Sequence, residues 1–185
     1  MNAIETHALT RRFGAHTAVD GLDLTVRQGE LFALLGVNGA GKTTTLRMLS
    51  GLLQPTGGEA DILGFRLTQQ PQEIKRRINL SPQETAVAPN LTVRENLELI
   101  AGIYGASRRE AAQRAAETIA EFHLGEVERS RAKTLSGGWQ RRLSIAMALI
   151  SQPQLVFLDE PTLGLDVLAR RELWQVIRSL RGRVT

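Results

Sequence analysis

The chain has 185 residues, 42% of them hydrophobic, and no cysteine. That allows one α/β domain with a sizeable core and excludes disulfides and thiolate metal sites. Its net charge of +4 is mild and its basic residues are scattered in pairs, Arg76-Arg77, Arg108-Arg109, Arg141-Arg142 and Arg170-Arg171, which read as solvated helix faces rather than a nucleic-acid stripe.

In chain order, residues 3–9 and 19–26 have strand character. In the second, Leu22, Leu24 and Val26 alternate with Asp23, Thr25 and Arg27, the pattern of a half-buried strand. The apolar run 31–35 reads as a buried strand, followed by a glycine-rich turn at 36–41 and a helix from Lys42 to about Leu53, which Pro55, Thr56, Gly57 and Gly58 break. A short strand is expected at 59–63, a short polar helix at 73–77 and another strand at 78–81. Helical patterning then runs from 84 to 150. Thr92 with Glu95, and Ser107 with Glu110, are capping-box signatures opening helices to about Tyr104 and Phe122, and a third helix spans 137–149. Residues 155–158 form a second apolar run, a buried strand with Asp159 and Glu160 at its end. Asp166 is placed to cap a last helix through Leu180. The longest apolar runs fall far short of the roughly 18 residues of a membrane span, and residues 1–10 have no signal-peptide core. A membrane role would therefore come through a partner.

Three stretches carry chemistry. Residues 36–43, Gly36-Val37-Asn38-Gly39-Ala40-Gly41-Lys42-Thr43, match G-x-x-x-x-G-K-[ST] between an expected strand and a helix. Glycines let the loop turn its N–H groups toward an anion, and the helix start adds the positive end of its dipole. Lys42 supplies a charge for β- and γ-phosphates, and Thr43, followed by Thr44, offers a hydroxyl to Mg²⁺. Asp159 can help hold Mg²⁺, and Glu160 can polarise an attacking water. In Leu135-Ser136-Gly137-Gly138-Trp139-Gln140, Ser136 stands at a helix N-cap and two glycines expose the first N–H groups, a second anion-binding helix start.

Together these residues resemble the nucleotide-binding subunit of an ATP-binding cassette (ABC) transporter over essentially the whole chain: Walker A at 36–43, Walker B at 155–160, and the family signature at 135–140 with Trp139 where glutamine is common. The resemblance implies a P-loop NTPase fold: an α/β core at 1–83 and 151–185, an antiparallel β subdomain, and an inserted helical subdomain at 84–150. It implies ATP and Mg²⁺ as ligands, with Glu160 as general base, Lys42 as charge stabiliser, and Thr43, Asp159 and Gln83 around the metal. It also implies Gln83 as the Q-loop residue that senses a transmembrane partner, Asp166 in the D-loop, and Phe13 stacked on adenine. Two cassettes would pair head to tail, as a homodimer, the signature of one closing over nucleotide on the other. They would drive an integral-membrane permease at the cytoplasmic face of the membrane, with no nucleic acid expected.

Residues 91–105 resemble the branch that exports drugs, lipids, polysaccharides or ions. Other readings are a non-transport ABC ATPase acting on ribosomes or DNA, and a nucleotide-binding module with little hydrolysis. The family also has a switch histidine after a further strand. His7, His16 and His123 do not align with it and read as surface or turn residues, and Thr185 falls where that strand would begin. A shortened subunit is the expectation, its last central strand missing between 31–35 and 155–158, binding ATP weakly and hydrolysing it poorly.

Overall fold

The computed structural model describes residues 1–185. They form two compact units, one of Met1–Asn79, Gln154–Phe157 and Arg181–Thr185, the other of Leu80–Pro153 and Leu158–Leu180.

The first unit is built on an antiparallel sheet. β1 (Asn2–Phe13) and β2 (His16–Arg27) make a hairpin in which Phe13 faces His16 and Asn2 faces Arg27. Both strands are longer than the apolar alternation suggests, because cross-strand pairing carries the ladder out to the turn. β3 (Gly57–Ile62) pairs with the other edge of β1, and β4 (Phe65–Arg66) with β3, giving the order β2-β1-β3-β4. A bulge near Ala8, whose φ is 48°, shifts the register between Thr6 and Leu9, and there Asp23 Oδ1 accepts from the Ala8 N–H at 2.6 Å. Ala3, Ile4, Leu9, Val26, Ala60 and Ile62 are buried, as are Met48 and Leu49 of α1 (Lys42–Leu49).

α1 stops at Leu49, four residues short of the expected end. Gly51 takes φ 71°, its N–H donates to the Met48 carbonyl, and the Leu52 N–H donates to the Arg47 carbonyl. That pair of bonds is a Schellman motif, which closes a helix before any downstream proline is reached. α2 (Pro71–Lys75) follows β4.

The largest departure from expectation lies at residues 31–35. They form no strand, and they are not buried: Leu31 is 43%, Phe32 44% and Leu35 89% exposed. A strand exists through its ladder, and no strand is paired with this run. Thr185 instead links the turn before this run to residues 154–156, its Oγ1 accepting from the Gly29 N–H at 2.8 Å while its backbone pairs with Gln154 and Val156 at 3.1 and 2.8 Å.

β5 (Ile78–Ser81) and β6 (Leu155–Leu158) form a separate two-stranded pair. It runs parallel: Leu155 donates to the Arg77 carbonyl at one end and Asp159 to the Ser81 carbonyl at the other.

The second unit is helical: α3 (Val93–Ile103), α4 (Arg108–Glu121), α5 (Gly137–Leu149) and α6 (Val167–Ser179). Both expected capping boxes are formed. The Thr92 and Ser107 N–H groups donate to Glu95 and Glu110 at 2.7 and 2.8 Å, and each hydroxyl accepts the return bond. These bonds hold both carboxyls below the usual carboxylate range. Asn96, fully buried, satisfies the loop before α3 through the Ala88 N–H and the Ala88, Leu91 and Thr92 carbonyls. Val93, Leu97, Phe122, Leu124, Leu143 and Leu173 centre the core.

Candidate functional site

The phosphate loop belongs to the first unit. Gly41, the N-cap of α1, has φ 81°, and a Cβ there would lie 2.3 Å from the Ala18 carbonyl oxygen. Only glycine permits this approach, which seats the start of α1 against β2. The Lys42 ammonium folds back over the loop and donates to the carbonyls of Gly36 and Val37 at 2.8 and 3.0 Å. Residues 36–40 are exposed, and Lys42, Thr43 and Thr44 half-buried. The loop is thus an open ring of backbone with a cation drawn across it, a form suited to polyanionic phosphate. Phe13 ends β1, 46% exposed, with the Arg11 guanidinium 4.4 Å from its ring centroid.

The remaining candidates belong to the second unit. Asp159, at the end of β6, is 6% exposed. Glu160 follows with φ 45°, an unfavourable backbone for a residue with a side chain. Gln83 is exposed just beyond β5. Ser136 caps α5, its Oγ accepting from Trp139 at a long 3.5 Å, and Asp166 caps α6, accepting from Ala169 at 2.9 Å. These two helix starts adjoin, since a Cβ on Gly138 would lie 3.3 Å from that of Ala169. Gln140 steadies the loop ahead of α5 by donating to the Ala132 and Leu135 carbonyls at 3.1 and 3.2 Å. No cluster of three or more His, Cys, Asp or Glu capable of holding a metal occurs. Thr43 in the first unit and Asp159 in the second are each oxygen donors of the type that hard cations take.

The arginine pair of α5 corrects the surface reading. Arg141 is 3% and Arg142 8% exposed. Arg142 bonds Glu172 at 2.5 Å and lies 4.7 Å from the Trp139 ring centroid. Arg141 donates to the carbonyls of Pro82, Gln83 (3.1 Å), Asp159 (2.5 Å) and Pro161 (3.0 Å). Burial pulls its pKa below the usual arginine value, and the Asp159 charge opposes that. A helical run of eight buried residues, Arg141 to Ala148, is visible only in the fold. In the sequence the arginine pair beside the apolar run of α5 is the one signal, and a charged pair alone points to the surface. The three histidines are exposed, as expected.

A glycine loop closing onto a helix start, with a lysine over it, defines a phosphate-binding protein of the P-loop type. Residues 19–163 match the model of the ABC transporter family, and the chain belongs to that family. It is 46% identical over 178 residues to the daunorubicin/doxorubicin resistance ATP-binding protein DrrA of Streptomyces peucetius, covering 96% of this chain and 54% of the relative. The chain thus spans about half the length of that curated relative. A solved ATP-binding subunit of an ABC transporter superposes with a TM-score of 0.81 at 32% identity, covering 97% of this chain and 75% of the other. The dimeric ATP-binding cassette MJ0796, in a post-hydrolysis state bound to ADP and Pi, superposes at 0.84 with 27% identity, covering 98% and 85%. The fold is therefore that of an ABC ATPase domain, of P-loop NTPase type.

Proposed function

We propose that this chain is the ATP-binding and ATP-hydrolysing cassette of an export-type ABC transporter. The observation that carries the reading is the phosphate loop, with Gly41 pressed on Ala18 and Lys42 drawn over the carbonyls of Gly36 and Val37, in a chain similar to a drug-resistance ATP-binding protein.

In this reading Lys42 exchanges two loop carbonyls for the β- and γ-phosphates of ATP, and the N–H groups of residues 39–44 cradle them. Thr43, Asp159 and Gln83 serve the magnesium that comes with the nucleotide, Glu160 takes a proton from the attacking water, and Phe13 offers the exposed part of its ring to adenine. Ser136, Gly137 and Gly138 present the α5 start to nucleotide held by a second cassette paired head to tail, with Asp166 at the neighbouring helix start. No helix is long and apolar enough to cross a membrane; an integral-membrane permease at the cytoplasmic face would receive the work of closure and reopening.

The test is Mg-ATP binding and turnover. Lys42→Ala should weaken both, and Glu160→Gln should keep binding, lose turnover and accumulate an ATP-bound dimer; normal turnover in the Gln variant removes Glu160 as base. A second reading, nucleotide binding with little hydrolysis, is favoured by the strandless state of residues 31–35, the run that leads into the loop. Micromolar ATP affinity without turnover in the parent chain would select it. An ABC ATPase acting on ribosomes or DNA would instead co-purify with nucleic acid and release it steeply with salt.

A further inference from the structure

Arg141 does more than fill a core position. Its four acceptors come from two short stretches: the Pro82 and Gln83 carbonyls just past β5, and the Asp159 and Pro161 carbonyls on either side of Glu160. Glu160 is thus bracketed by bonds from one side chain, and it is the residue held at φ 45°. A left-handed backbone at a residue with a Cβ persists only where its surroundings impose it. The imposing group here is a planar cation whose donors have fixed directions, and a lysine, with a single flexible ammonium, cannot reproduce them.

We propose that Arg141 is a positioning residue for ATP hydrolysis: its guanidinium fastens residues 82–83 and the backbone flanking Glu160 into one frame, so that the Q-loop and the general base are set by the same side chain. The inference rests on the reading of Glu160 as the base. It adds that a displacement of residues 82–83 reaches Glu160 through Arg141. A side chain that merely fills the core would act on the whole helical unit, whereas this frame is confined to its acceptors.

Amide hydrogen exchange of the nucleotide-free chain, comparing parent, Arg141→Lys and Arg141→Met, tests the frame without needing turnover. Exchange at residues 82–86 and 159–165 should quicken at least tenfold in Arg141→Lys, while α3 and α4 stay within twofold of parent. Unchanged exchange at 159–165, or equal quickening throughout α3 and α4, overturns the proposal. The lysine variant keeps a buried cation, so it carries the test if the methionine variant fails to fold. In turnover, Arg141→Lys should lose at least tenfold in kcat with ATP affinity within twofold of parent. Parallel loss of affinity and kcat overturns it, as does normal kcat. Glu160→Gln in the same assay separates the two ideas. If that variant turns over normally, the base assignment fails, and exchange still decides whether Arg141 holds the frame. If it is inactive while Arg141→Lys is normal, only the positioning role fails.

Discussion

Two apolar runs lead into the two principal motifs, and they end in different states. Residues 155–158 form β6, with Leu155 2% and Phe157 5% exposed. Residues 31–35 are at least as apolar in sequence, yet form no strand and leave Leu35 89% exposed. What separates them is a neighbour. β6 runs beside β5, with bonds from Leu155 to Arg77 and from Asp159 to Ser81; the earlier run is paired with no strand. Apolar composition makes a segment seek burial, but a strand requires a second strand to satisfy its backbone.

The sharpest way to break this comparison is to truncate the same side chain in both runs. Phe157→Ala should lower the unfolding free energy by about 3–5 kcal/mol, the usual cost of emptying a buried phenylalanine site. Phe32→Ala, at a residue 44% exposed, should cost less than about 1 kcal/mol. Urea midpoints measure both. Equal costs would mean that residues 31–35 are buried in solution after all.

Gly41→Ala comes next. The new methyl would lie 2.3 Å from the Ala18 oxygen at φ 81°, and strain of this kind costs about 1–3 kcal/mol. The loop should lift from β2, so nucleotide affinity should fall along with stability. Unaltered ATP binding in this variant would show that the seat on Ala18 does not shape the loop.

Much of this was legible in the sequence because its causes are local. A glycine loop followed by Lys42 and Thr43 needs only its own residues, and the caps at Thr92, Ser107, Ser136 and Asp166 bond within three residues. What escaped depends on distant partners. α1 ends at Leu49 because Gly51 closes it before Pro55 is reached. The state of 31–35 depends on a missing ladder. The burial of Arg141 depends on carbonyls 58, 59, 18 and 20 residues away in sequence.

Local causes also set smaller effects. Thr92→Ala should cost about 1 kcal/mol, the typical value of an N-cap, and the helical unit should loosen with acid. Glu95 and Glu110 have folded pKa values below their unfolded ones, because Thr92 and Ser107 donate to them. Their contribution is therefore present above the unfolded carboxylate pKa and is lost as pH falls through the folded values. Circular dichroism between pH 6 and about pH 3 should show both proteins losing stability as the backbone N–H bond to Glu95 weakens, with the gap between parent and Thr92→Ala narrowing by the part that the Thr92 hydroxyl donates to that carboxylate. A gap that stays constant down to the lowest pH would assign the cap to the hydroxyl alone.

The smallest effect on stability falls at Leu35, and there it divides from solubility. A side chain 89% exposed has almost no burial to lose, so Leu35→Ser should leave the urea midpoint within about 0.5 kcal/mol of parent. The same leucine shares a short stretch of sequence with Leu31, Phe32 and Val37, all exposed and the last to 79%, and its backbone has no ladder of its own. Exposed apolar surface beside unpaired backbone favours association between copies. Leu35→Ser should therefore raise the concentration at which light scattering first appears, while Leu155→Ser, at the paired run, should destabilise the fold and lower it. Opposite signs from the same substitution would establish that the two runs differ in their neighbours and not in their sequence. A drop in both would mean that Leu35 is covered in solution by a partner of its own.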